Sequence, residues 1–171
     1  MRTLKKVPVL AAVALLLGAA TTACTDDGLN RYQSDYSSHE PLHTVGYPSR
    51  GSLEIVQETV WRLADDDAEA LAGLAVEEGS AADTTARNWV AAFGKAAGGK
   101  VTADFYDEGS TRQVVVLYFA ASGQKKAIEV RLGQHDSWGV TLAETDPAEA
   151  AKTPDWAPAT PGGSGSRSPG N

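Results

Sequence analysis

The octapeptide HEPLHTVG sets His39, Glu40 and His43 in the order H-E-x-x-H. On a helix that spacing puts two imidazoles on one face, with the glutamate beside them to activate a zinc-bound water. Here Pro41 stands between the histidines, and Gly46 and Pro48 follow closely. Proline disfavours helical geometry at the residue before it, so the helix this chemistry needs is not expected. Position 49, where a third ligand would fall, is Ser49, and the remaining histidine, His135, lies far downstream in a turn-like context. His39, Glu40 and His43 are therefore read as a decoy, and neither a metal nor a cofactor is expected. The second pair with chemical content is Asp104 and Tyr106, two apart in the run VTADFY. On a strand they share a face, where a carboxylate and a phenol could converge for acid–base work, although ordinary surface alternation has the same pattern. His135 with Asp136 lacks an activated serine context, and Gly98–Lys100 lacks the phosphate-cradling Walker pattern.

The elements that must carry these residues change period along the chain. Leu53, Val56, Val60 and Leu63 recur at helical spacing over 53–64, with Ser52 as the expected cap. Asp65, Asp66 and Asp67 then precede a short helix over 68–75, Asp66 with Glu69 imitating a capping box. A third helix over 84–97 carries Ala86, Val90, Phe93 and Ala97 on one stripe and ends at Gly98. Strand-like runs follow at 101–106, 112–121, 126–133 and 137–144, separated by turn-sized breaks. Such short links predict an antiparallel meander. Within it VVVLYF is apolar on both faces, so its second face needs cover, either from the monomer's own side chains or from a second copy in a homodimer.

The two ends read differently. Arg2, Lys5 and Lys6 precede the apolar run VPVLAAVALLLGAA, a basic start and a short hydrophobic region that describe a secretory signal over 1–23. The chain's only cysteine, Cys24, closes the string TTAC. That string resembles the lipobox of bacterial lipoproteins, with Ala23 at the small position and Thr21 where leucine is usual. The resemblance implies a diacylglyceryl group on the Cys24 thiol and a protein held on the outer face of the bacterial cytoplasmic membrane. Residues 24–50 have no sustained period and read as the lipidated cysteine and a flexible tether; 146–171, rich in Pro, Gly and Ser, read as a disordered tail. The fold is then expected over 51–145. The formal net charge is −7, more negative still without the basic leader, so nucleic acid is excluded as a partner and the lipid is the expected route to the membrane.

Three helices before a four-stranded antiparallel sheet, with LADDDAEALAGL opening the second helix and DSWGVTLAE closing the run, resemble the NTF2-like cone fold in its small lipoprotein-anchored versions. The resemblance implies an α+β domain whose curved sheet and helices enclose a pocket, with Trp61, Trp89, Phe93, Tyr118 and Trp138 as candidates to line it. Such domains serve both as binding modules and as enzymes; the function expected here is an extracytoplasmic binding or interaction module without catalysis, taking an envelope protein or a small apolar ligand. The alternative is a small enzyme or apolar-ligand carrier working inside the cone.

Overall fold

The computed structural model of the protein describes residues 27–106 and 109–162. Residues 1–26, which include the expected signal and Cys24, and residues 163–171 lie outside the described residues. Among those described, five helices pack with a five-stranded sheet, and no helix is long and apolar enough to cross a membrane.

The chain begins with α1 (Asp27–Ser38), a short strand β1 (His43–Gly46) and the long helix α2 (Arg50–Ala64). Ser49 caps α2 by accepting a hydrogen bond from the Ser52 amide, so the cap lies three residues before the expected one and Ser52 is buried within the first turn. Helix α3 (Ala68–Ala72) is capped by Asp67 rather than Asp66; Asp66 takes a positive φ of 57° in the turn between the helices. Helix α4 (Ser80–Ala97) then crosses α2 at Gly94, where a Cβ would fall 3.0 Å from the Leu63 carbonyl oxygen. Only a residue without a side chain allows that approach.

The strands β2 (Val101–Phe105), β3 (Arg112–Phe119), β4 (Lys125–Leu132) and β5 (Trp138–Val140) form the antiparallel meander that the short links predict. The last strand is shorter than its sequence run: after Val140 one more backbone bond forms, from the Thr141 amide to the Glu129 carbonyl at 2.9 Å, and the chain then leaves the ladder. Strand alternation sends Val101, Ala103, Phe105, Val115, Leu117, Phe119, Ile128 and Val130 to one face, where they join the buried residues of α2 and α4 in a single core. Phe93 stacks on Phe119 with ring centroids 5.2 Å apart.

Both expected irregular ends carry structure. Residues 24–50 were expected as a tether, yet β1 adds to the sheet, parallel to β2, with His43 opposite Thr102 and Gly46 opposite Phe105. Two buried glutamines hold the strand's ends: Gln57 accepts from the Leu42 amide at 3.1 Å, and Gln113 donates to the Tyr47 carbonyl at 3.1 Å. Residues 146–171 were expected as a disordered tail, yet Asp146 caps a helical turn, α5 (Pro147–Ala150), whose Ala150 is fully buried against the core. Beyond it, residues 156–162 run as a strap across the face of the sheet remote from α2 and α4. There Ala157 packs with Tyr106, Val116 and Tyr118. The second apolar face of VVVLYF is thus covered within one chain.

Candidate functional site

His39 follows the last residue of α1 while His43 opens β1, so the two imidazoles stand on different elements and not on one helical face. His39 is instead a junction between α1 and α2. Its Nε2 lies 2.8 Å from Asp65 Oδ1 and its Nδ1 2.9 Å from the Asp35 carbonyl oxygen, while the ring stacks on Trp61 at 5.5 Å. Asp35 also pairs with Arg62, and Tyr36 meets Trp61 edge-on. Two acceptors facing two ring nitrogens favour the doubly protonated imidazolium. Burial alone would lower the His39 pKa, but the Asp65 hydrogen bond, the Asp35 carbonyl and the two carboxylates together raise it above 6.5. A raised native pKa means stability that is full below the unfolded value of about 6.5 and lost as pH climbs through the native value. We therefore expect denaturation midpoints of the protein to fall with pH above about 6.5, and His39→Asn to flatten that slope. An unchanged slope in the variant would remove His39 from the junction.

Asp104 and Tyr106 do share a face, and the β2–β3 register adds a third member. Thr102 stands opposite Tyr118 and Asp104 opposite Val116, which brings the Tyr118 phenol diagonally beside the carboxylate. Asp104 is fully buried, Tyr106 is 2% exposed and Tyr118 8%. Tyr118 donates to the Pro158 carbonyl at 3.2 Å, Asp104 Oδ2 accepts from the Gly162 amide at 3.2 Å, and Trp156 meets Tyr106 edge-on at 5.4 Å. Burial, the neighbouring Tyr106 phenol and the Asp104 carboxylate push the Tyr118 pKa well above 10. The phenol therefore keeps its proton at neutral pH. Chemically the trio positions the strap, which covers it.

A further titratable group escaped the sequence reading. Lys126 is 2% exposed; its Nζ pairs with Glu144, donates to the Ala150 carbonyl at 2.9 Å and lies 4.9 Å above the Trp89 ring. Burial pulls its pKa below 10.5 against the opposing pull of Glu144 and Glu149. The alternation of KKAIEVRL, in which Lys126 falls in phase with Ile128 and Val130, was the signal that could have found it. Sealed by α5, it is a structural cation.

The expected pocket residues do not converge. Trp61 is covered by Tyr36 and His39 of the α1 end, Trp89 and Phe93 lie in the core, and Tyr118 faces the strap. Trp89 and Trp61 each edge a smaller surface concavity, whereas Trp138, half-buried on β5, borders the larger one. Its indole lies over Gly51, where a Cβ would come 2.2 Å from the ring. Beside it is a cleft of about 730 Å³ at the sheet edge. The loop after α3 makes its far wall by running along β5: the Val76 amide donates to the Val140 carbonyl at 3.0 Å, and the Val140 amide to the Leu74 carbonyl at 2.9 Å. Ile55, Leu74, Val76 and Trp138 supply apolar surface, while Glu58, Glu78 and Glu77, the last paired with Arg131, stand around it. Such a cleft can take an apolar group that carries positive charge nearby. No protein-family model matches the chain, and no curated protein or solved structure matches it.

Proposed function

We propose that the protein is a lipid-anchored, extracytoplasmic interaction module of the bacterial envelope, NTF2-like in layout and without catalysis, and that the acid-rimmed cleft beside Trp138 is where it meets its partner. The carrying observation is the placement of side chains: aromatic residues fill the space between helices and sheet, the carboxylate–phenol trio is closed by the strap, and the large concavity is at the sheet edge. A core packed to native density serves stability, which leaves recognition to the surface. The order of α2, α3 and α4 before the β2–β5 meander supports the NTF2-like layout, and the parallel β1 is an addition to it. Cys24 anchors the chain through acyl groups, each buried methylene contributing about 0.8 kcal/mol, so that two chains hold where one is marginal.

The anchor is tested by metabolic labelling with a fatty acid. The wild type should incorporate label and fractionate with membranes; Cys24→Ala should lose all label and either appear in the medium or persist as precursor. Label retained by the variant would overturn the lipoprotein reading. The cleft is tested by a photo-crosslinker in place of Val76, which should give one discrete adduct in intact cells that Trp138→Ala diminishes, against none from the exposed Lys152. Equal, diffuse adducts from both positions would overturn the cleft.

A further inference from the structure

The strap is held in an unusual way for an irregular segment. Its residues form neither helix nor strand, and the sheet grips it through side chains that address its main chain. Lys125 Nζ donates to the Ala157 and Pro158 carbonyls at 3.0 and 3.1 Å, and Tyr118 donates to the Pro158 carbonyl as well. Asp104 takes the Gly162 amide at the far end. Between these points lie Pro158 and Pro161, on a surface walled by Tyr106 and Tyr118. The segment runs through turns and bends, so what the groove uses is aromatic walls with donors aimed at carbonyls, and the prolines' fixed φ lowers the entropy lost on docking. Because the groove reads carbonyls and shape, it does not require this particular sequence.

The resident segment also fits incompletely. Of residues 156–162 only Ala157 is buried, and Trp156 keeps 36% of its surface in water. Asp104 Oδ1, in a fully buried carboxylate, has no hydrogen-bond partner among the described residues. An unpaired oxygen of that kind is costly, and a donor from a better occupant would relieve the cost.

We infer that the outer face of the sheet is a docking groove for a bent, proline-containing peptide segment of a partner, with a lysine or arginine placed to reach Asp104, and that residues 156–162 are its occupant in cis. A tethered occupant competes at an effective concentration in the millimolar range, so partner binding appears only as the strap is outcompeted or loosened. This groove is on a different surface from the cleft beside Trp138 and does not depend on it.

The test uses the full chain and a fluorescein-labelled peptide with the sequence of residues 153–162, followed by anisotropy. Trp156→Ala loosens the strap without touching the sheet and should bind the peptide at least tenfold more tightly than the wild type. Pro158→Gly should give the same gain by a second route. Adding Tyr118→Phe and Lys125→Ala to either variant should abolish it. A peptide with lysine in place of its final glycine should bind more tightly than the parent, and Asp104→Asn should erase the difference. Equal weak binding by the wild type and both loosened variants would overturn the groove, as would tight binding that survives loss of Tyr118 and Lys125 donors. An indifferent lysine peptide would overturn the assignment of Asp104.

Discussion

Trp89→Ala should lower the free energy of unfolding by about 4 kcal/mol, read from urea denaturation of the full chain, the range for deleting a fully buried large aromatic being about 3–5 kcal/mol. The ring is 2% exposed on α4 and packs in the main core. Its Nε1 donates to Glu144 Oε2 at 2.7 Å, and its face lies under the Lys126 ammonium. Truncation therefore opens a void and also strips a donor from Glu144 and a π face from a buried cation. Trp138→Ala is the matched control. That ring is half-buried at the cleft, so its loss should cost only about 1–2 kcal/mol, the scale of a partly exposed side chain's transfer term. If Trp89→Ala cost no more than Trp138→Ala, the space between helices and sheet would have to be loosely filled, and a ligand chamber inside the fold would return as the better reading.

Glu144→Gln should cost about 2 kcal/mol, whereas Lys126→Met should cost much less or stabilise the protein. The asymmetry follows from what each change leaves behind. With Glu144 neutral, the Lys126 ammonium keeps the Ala150 carbonyl and the Trp89 ring but loses its counter-charge in a site that is almost closed to water. Glu144 is 37% exposed, so solvent screens the pair and the penalty lies below that of a wholly buried one. With Lys126 replaced by methionine, Glu144 still has water and the Trp89 donor. The pH dependence has the matching sign. Burial lowers the native pKa of Lys126 below the unfolded value of about 10.5, so between the two the unfolded chain binds the extra proton and stability rises with pH. Lys126→Met should remove that rise. Equal losses from the two substitutions at pH 7 would mean that the ammonium is better solvated than its 2% exposure implies.

What sequence periodicity could reach were the elements whose partners are near in the chain or whose pattern is strong. The stripe Leu53, Val56, Val60 and Leu63 located α2, and the alternation of Ile128 and Val130 with Glu129 and Arg131 located β4. Helix α1 has no such stripe: DGLNRYQSDYSS is polar, and the contacts that seat it come from Arg62, Asp65 and Trp61 of a later helix and its cap. Strand β1 is four residues between prolines, and its partner lies almost sixty residues on. The strap has no period at all, since its order comes from Tyr118, Lys125 and Asp104 beneath it. The same holds for the chemistry. Alternation placed Asp104 and Tyr106 together, but only the β2–β3 register could supply Tyr118, and nothing local marked the strap that closes all three.

The seating of α1 against α2 sets how far the body can travel. With α1 flexible, a leash from Cys24 to Arg50 would let the domain sweep through a layer many nanometres deep. Fixed by Asp35 on Arg62 and by His39 on Asp65, α1 belongs to the body, and its first residue, Asp27, is three positions after Cys24. Fully extended, that span covers only about 10 Å. A lipid on Cys24 would then moor the protein rather than leash it, restricting its encounters to molecules within the headgroup layer or just above it.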